Sequence, residues 1–400
     1  MPFTKASVRD APLTAGGRVL ARVDFNVPLA DGEIEDDTRI RAAMPTIELL
    51  RERDAAIVLC SHLGRPEGRD PALSLAPVAR RLGALLDDDV ALAPGVVGDE
   101  VAREAEALGP GEVLLLENTR FEPGETENDP ALAAGLAALA ELYADDAFAA
   151  AHRAHASTEG VAHELPGYAG LLLEREVQEL TSVRDHPAPP LVVVLGGAKV
   201  TDKIGTIERL AETAERILIG GAMCFSFFRA QGVATGDSLV EDEGVELARR
   251  ALERTRDSGC ELRLPVDLVL GESFDAAAER RELDGTEVPD GWMGLDIGVR
   301  TAAAYAEAIA EAGTVFWNGP MGAFELEPFA AGTRTVAEAV ARAPGRTVVG
   351  GGDSAAALTG FGLADDVDWL STGGGASLEL VEGRKLPGIE ALLDASEVRA

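Results

Sequence analysis

The sequence predicts an α/β protein built from two doubly wound parallel sheets, one in each half of the chain. Three observations carry that prediction. Short β-branched runs alternate with longer Ala/Leu/Glu/Arg stretches of helical period throughout. The 400 residues suit two domains of ordinary size. Near the middle, three prolines within His186–Pro190 interrupt the alternation, because proline cannot continue a helix.

In the first half, Arg18–Val23 is predicted as a strand and Arg41–Arg53 as a helix. Strands follow at Ala55–Cys60 and Val113–Leu116, and the Ala-rich run Pro130–Leu142 is predicted helical. These elements give a first domain over 1–170. The helical stretch Leu171–Val183 then serves as a hinge helix within a 171–187 linker. A second domain over 188–383 repeats the alternation. Its predicted strands are Leu191–Leu195, Arg216–Ile219, Thr314–Trp317, Thr347–Val349 and Asp368–Leu370, each followed by a helix. The chain has no short-period repeat and no long low-complexity block.

Composition narrows the function. The chain carries 36 basic and 69 acidic side chains, a formal net charge of −33. Such a surface repels a phosphate backbone and anionic lipid. At 46% hydrophobic residues the chain can bury a sizeable core. No apolar run approaches the ~20 residues of a membrane span. The opening MPFTKASVRD shows no charged-then-apolar leader, so a cytoplasmic location is expected. Cys60, Cys224 and Cys260 are few and far apart, which suits buried core residues in a reducing compartment. The lysines are Lys5, Lys199, Lys203 and Lys385; every other basic residue is Arg. A surface so acidic and so poor in Lys fits a protein bathed in concentrated salt, where self-repulsion is screened.

Ligands bind beyond the carboxyl ends of parallel strands. In the second half those ends carry glycine: Gly196–Lys199, Gly220–Met223, Trp317–Gly322, Gly350–Ser354 and Ser371–Ser377. Glycine lets backbone N–H groups approach an anion, and a following helix N-terminus favours it. Five such loops predict a polyphosphate site, most simply for a nucleotide. GxxxxGK[ST] and GxGxxG are both missing, which excludes a P-loop and leaves a dinucleotide dehydrogenase unsupported. Lys199 and Lys203, spaced i,i+4, are expected on one helix face as phosphate-neutralising charges.

In the first half the strand ends carry Asp24, Asn26, Arg39, His62, Arg65, Arg120 and Arg153. Arginine forks suit carboxylate and phosphate, so these residues are expected to hold a doubly anionic small molecule, with Asp24 and Asn26 accepting from its hydroxyls. A rival reading makes His62 a phosphohistidine nucleophile. A non-catalytic metabolite-binding regulator would keep the Gly loops but has no need for both Lys199 and the arginines. One site for a nucleotide and one for a phosphorylated acid imply phosphoryl transfer across a cleft between facing domains, with closure excluding water.

Nine segments, in order, resemble the phosphoglycerate kinase family: RVDFNVPL, DDTRIRA, SHLGRP, LLLENTRF, DDAF with AHRAHAS, GGAKVTDKI, FWNGPMGAFE, GGGDSA and STGGGASLEL. They run from about residue 20 to residue 388. The resemblance implies two Rossmann-like domains, a monomer, and reversible phosphoryl transfer between 1,3-bisphosphoglycerate plus ADP and 3-phosphoglycerate plus ATP with Mg²⁺. By motif, Asp24, Asn26, Arg39, His62, Arg65, Arg120 and Arg153 would hold 3-phosphoglycerate. Gly197, Lys199, Lys203, Asn318, Gly351, Gly352 and Ser354 would serve the nucleotide phosphates, and Asp353 would hold Mg²⁺. Gly220 and Gly221 would line the adenine pocket, and Glu325 would bind the ribose. Arg39, Lys199 and the N–H groups of Gly373, Gly374 and Gly375 would act on the phosphoryl in transfer. The tail over 384–400 would pack back on the first domain. Several positions depart from the family pattern. Ala222 and Ala149 stand where Gly is usual, Asp145 where Asn is usual, Ser354 for Thr and Arg384 for Lys.

Overall fold

A computed structural model describes residues 3–398. The chain divides into two compact units. One takes the chain up to Gln178 and again from Lys385; the other is Glu179–Arg384. The division falls inside the helix Leu171–Asp185, ahead of the prolines that the sequence suggested as the junction.

In the first unit the strands are β1 (Arg18–Arg22), β2 (Leu29–Ala30), β3 (Glu33–Ile34), β4 (Ala56–Cys60), β5 (Ala91–Leu92), β6 (Val113–Leu115), β7 (Leu142–Asp145) and β8 (Gly167–Ala169). β2 and β3 form a short hairpin, and the rest make one sheet ordered β5-β6-β4-β1-β7-β8. All its pairings are parallel. Every residue of β4 is buried, as expected for a strand covered on both faces. Ile57 and Leu59 pack with Val19 and Ala21 of β1 and with Ile40, Ile47 and Leu50 of the helix Thr38–Glu52.

The second unit contains β9 (Leu191–Leu195), β10 (Arg216–Ile219), β11 (Glu261–Arg263), β12 (Leu268–Gly271), β13 (Arg280–Leu283), β14 (Met293–Ile297), β15 (Thr314–Asn318), β16 (Arg346–Gly350) and β17 (Trp369–Leu370). Its main sheet is parallel, ordered β11-β10-β9-β15-β16-β17. Val192, Val194, Val315 and Trp317 join Tyr305, Ile309, Val336 and Val340 in its core. β12, β13 and β14 form a separate antiparallel sheet.

In both sheets the strand order switches sides beside the first strand, β1 in one and β9 in the other. In each, the chain builds outward on one side and then returns to the opposite side, at β7 or β15. A crevice opens at such a switch point, which is where ligands are expected.

Three expectations need correction. The helix predicted over Pro130–Leu142 ends at Ala137, and Leu142 starts β7, paired with Val19. Alanine's high helix propensity masked a short strand that only sheet pairing stabilises. The helix predicted at Arg41 begins at Thr38, so Arg39 sits in a helical first turn and not in a loop. The helix after β9 begins at Ile204. Lys199 lies in the preceding loop, so Lys199 and Lys203 do not share a helix face. Gly197, at φ +105, holds that loop out of helical geometry.

In the tail, the Ala6 N–H donates to Leu393 O at 2.7 Å and the Leu393 N–H to Gly167 O at 3.0 Å. Lys5 Nζ donates to the carbonyls of Glu390 and Leu392 and pairs with Asp394, each at 3.0 Å. The last two residues of the 384–400 tail lie outside the described residues. Cys60, Cys224 and Cys260 are buried and unbonded. No helix among the described residues is long and apolar enough to cross a membrane.

Candidate active site

The first unit gathers cations at its switch point. The loops after β1, β4 and β6 are tied together by polar side chains. Asn26 Oδ1 accepts the Gly64 N–H at 2.8 Å. Asn118, fully buried, accepts the Leu63 N–H at 3.1 Å and donates to Leu63 O at 2.7 Å. Its Oδ1 also accepts the Arg120 N–H, which starts the turn carrying that guanidinium. Arg120 donates to Gly64 O, while its Nε is buried without a partner. That N–H is a donor left without an acceptor.

Arg39 pairs with Asp24, whose Oδ1 accepts the Asn26 N–H at 3.2 Å. Burial pushes the Asp24 carboxyl up, but Arg39, His62 and Arg22 more than offset this and hold it below the usual range. Arg65 and Arg153 are exposed, and their charges lower the pKa of Arg120, whose burial has the larger effect. Like charges crowded this closely are what an anion relieves. Of the seven residues named for the phosphorylated acid, Asp24, Asn26, His62, Arg65 and Arg120 lie on these loops, Arg39 in the first turn of the helix Thr38–Glu52 and Arg153 in the turn region after β7.

The sequence reading missed the group behind them. Arg22 is fully buried at the end of β1. Its Nη2 lies 3.0 Å from His62 Nδ1, and its Nε donates to Ser157 Oγ at 2.9 Å. Glu125 accepts from Ser157 Oγ at 2.6 Å and from the Ser157 N–H at 3.0 Å. The alternation of apolar residues with an arginine in RVLAR was the available signal, since a buried Arg in a central strand needs a partner. Burial first, then Arg22, hold His62 down to about 3, so its imidazole is neutral. Because Nδ1 faces a guanidinium donor, neither ring nitrogen offers a free lone pair. The phosphohistidine reading is set aside on that ground.

In the second unit a cavity of about 820 Å³ opens at the switch point. Gly197, Lys199, Lys203, Asn318, Gly351, Gly352, Asp353, Gly374 and Gly375 line it. Lys199 is exposed. Lys203 donates to Asn318 Oδ1. Burial depresses the Lys203 ammonium to about 8, with Asp202, Asp353 and Glu382 pulling it back up. Asn318 Nδ2 is buried without a partner, a donor left over beside the Gly351 loop. Helices start at Gly352 and Gly375, so their first N–H groups face this region.

Five expected residues lie outside that lining. Gly220 and Gly221 are locked into the loop crossing, with the Gly221 N–H donating to Met321 O at 2.8 Å. Ser354 Oγ accepts the Gly319 N–H at 2.6 Å, so it braces the loop. The Gly373 N–H is taken by Ser371 Oγ at 3.2 Å, which leaves Gly374 and Gly375 as the glycines at the cavity. Glu325 is exposed away from the lining. The lining contains the carboxylates of Asp202, Glu208, Asp353, Glu379 and Glu382 beside Lys199, Lys203 and Arg384. The positive character is local to the lysines and helix ends.

A family model described as phosphoglycerate kinase matches residues 8–384. The phosphoglycerate kinase of Rubrobacter xylanophilus is 54% identical over 395 residues, covering 98% of this chain and all of that protein. That of Roseiflexus sp. is 52% identical over 396 residues with the same coverage. Among solved structures, phosphoglycerate kinase from Coxiella burnetii matches with a TM-score of 0.85 and 40% identity, covering 97% of this chain and 98% of that one. The enzyme from Pyrococcus horikoshii matches with 0.86 and 34% over the same shares.

Proposed function

The chain belongs to the phosphoglycerate kinase family and is a glycolytic kinase that reversibly moves the acyl phosphate of 1,3-bisphosphoglycerate to ADP, and from that premise we propose how its residues divide the work. The cluster of Asp24, Asn26, Arg39, His62, Arg65, Arg120 and Arg153 holds 3-phosphoglycerate. The cavity of the second unit holds the nucleotide. The observation that supports this division is chemical: one switch point carries arginine forks with an orphan Nε, the other a lysine and glycine cavity with an orphan amide.

The acyl phosphate is already a good donor, so no covalent enzyme intermediate is needed. An oxygen of the ADP β-phosphate attacks phosphorus in line, and the bond from phosphorus to the carboxyl oxygen breaks. The protein aligns these atoms and stabilises charge on the equatorial oxygens. Lys199 follows the phosphoryl group, with Arg39 on the acid side. The N–H groups at the Gly374–Gly375 helix start complete the set. Asp353, exposed in a helical first turn and lining the cavity, offers the hard carboxylate oxygen that suits Mg²⁺, a cation usually held by one or two carboxylates plus substrate phosphates. A cation bound there would supply positive charge against the substrate phosphates, which matters the more in a lining rich in carboxylates.

Because acid and nucleotide sit on separate units, transfer requires the units to close, with Leu171–Asp185 as the hinge helix. The domains are assigned accordingly as 1–170 with the 384–400 tail, and 188–383. A radius of gyration unchanged by both substrates together would count against closure. The same reading has the enzyme work in the cytoplasm as a monomer, and a solution mass measurement tests the monomer. For the residue roles, Lys199→Ala is expected to lower kcat by about 10²–10³. Arg120→Met is expected to raise KM for 3-phosphoglycerate alone. A Lys199→Ala enzyme within about twofold of wild type, by coupled assay with ATP and 3-phosphoglycerate, removes Lys199 from the mechanism.

A further inference from the structure

We propose that Arg22 is a positioning residue whose buried guanidinium fixes the His62 imidazole as its Nε2–H tautomer, so that His62 presents one fixed donor to the anionic acid. The inference rests on the placement of 3-phosphoglycerate beside His62.

A guanidinium has five donors and no lone pair to accept with. At 3.0 Å from Arg22 Nη2, His62 Nδ1 can only accept. A neutral imidazole carries a single proton, which then belongs to Nε2. A second proton on Nδ1 would point at an Arg22 N–H, so the contact also opposes the imidazolium. The other charges facing the ring are Asp24, which favours the imidazolium, and Arg120 and Arg39, which oppose it.

Arg22 is itself held from three directions. Its Nε donates to Ser157 Oγ, its Nη1 to Val23 O, and its charge is balanced by Glu125 through Ser157. The order Glu125, Ser157, Arg22, His62 runs from the interior to the substrate loops, with both ends of Arg22 committed. Neither the backbone nor the solvent is needed to select the tautomer. An N–H donor that never titrates in the physiological range suits a site meant to bind a carboxylate or phosphate equally well at any cytosolic pH.

The test begins with the native full chain. In ¹⁵N spectra of the labelled protein, the His62 signals are those lost in His62→Gln. Nδ1 should show a pyridine-type shift and Nε2 a pyrrole-type shift, unchanged between about pH 5 and 8, with or without 3-phosphoglycerate. Averaged shifts, the opposite tautomer or a titrating imidazolium would overturn the proposal. The second arm is the charge-neutral pair Arg22→Met with Glu125→Gln, which leaves no uncompensated buried charge. It should raise KM for 3-phosphoglycerate about tenfold at pH 8, with kcat and KM for ATP within about threefold. Burial still keeps the ring neutral once Arg22 is gone, so in that pair the ¹⁵N shifts of His62 should become averaged between the two tautomers. A pair that loses affinity while His62 keeps a pure Nε2–H signature means a merely structural role and also overturns the proposal. Arg22→Lys, another pure donor, should restore much of the affinity. If His62→Gln leaves KM for 3-phosphoglycerate unchanged, the placement of the acid beside His62 fails, while the spectra still decide the tautomer.

Discussion

Asp145 shows what a single buried carboxyl costs. It ends β7 opposite Arg22 of β1. Its Oδ1 accepts the Ala147 N–H at 3.0 Å, but its Oδ2 is buried with no partner. Burial pushes it up to about 7, with Asp146 adding to the shift and Arg22 opposing it. Tyr143 and Cys60 also face it. The native state therefore holds the proton more tightly than the unfolded chain does. The stability this gives is complete below about pH 4 and is lost as pH rises through 7. The family's usual Asn at this position carries no such dependence. Asp145→Asn is expected to add about 2 kcal/mol at pH 8 and much less at pH 5. Urea unfolding at the two pH values measures it, and an equal gain at both would mean the native carboxyl is not protonated. The four lysines show the opposite economy. Lys5 and Lys385 bond within the tail and its contacts, and Lys199 and Lys203 line the nucleotide cavity.

At the scale of elements, the loops that carry chemistry are held by contacts too close for side chains. Gly221 has φ +64, and a Cβ there would lie 2.4 Å from Gly197 N and 2.5 Å from Gly197 O. The loops after β9 and β10 thus cross backbone on backbone, and the crossing fixes where Gly197 starts the lysine loop. Gly221→Ala combines a strained φ with a clash that no rotamer relieves. It is expected to cost about 2–4 kcal/mol and to raise KM for ATP while sparing KM for 3-phosphoglycerate. A variant as stable as wild type in thermal melts would show that the crossing can open cheaply. The same contacts explain what was legible. Strands such as β9, continuous in Val and Leu and buried throughout, announce themselves. Strand β7, written LYAD behind an alanine run, does not, because its only warrant is pairing with β1. The antiparallel β12–β14 sheet went unread for the same reason, since it depends on long-range partners. In the site, the exposed or orphaned donors were legible from their type and position after strands. Arg22, Glu125, Asn118 and Ser157 were not, since what they touch is decided only when separate loops meet.

Across the whole molecule, charge acts in two opposing directions. The net charge of −33 spreads repulsion over the entire surface, and much of it is carried by exposed carboxylates. Many arginines are already spent on individual surface pairs, such as Arg216 with Glu311 and Arg254 with Glu212, which are worth little singly. They cannot neutralise an excess this large. Salt shortens the screening length from about 10 Å at 0.1 M to about 3 Å at 1 M, so added KCl should relieve the repulsion and raise Tm. The substrates feel the reverse. Both are polyanions attracted by cations that the same salt screens, Arg65 and Arg153 being exposed in one site and Lys199 in the other. The expectation is therefore a divergence: from 0.1 M to about 2 M KCl, Tm rises while KM for 3-phosphoglycerate and for ATP also rises. KM for 3-phosphoglycerate should climb more steeply, because exposed arginines dominate that site whereas Lys203 is largely buried. Thermal melts and steady-state kinetics over one salt series measure both. A Tm that is flat or falls with KCl would remove self-repulsion as a term in this protein's stability and with it the high-salt reading of its surface. A KM that is flat while Tm rises would mean that binding relies on buried donors, such as His62, the Arg120 Nε and the Asn318 amide, more than on exposed charge.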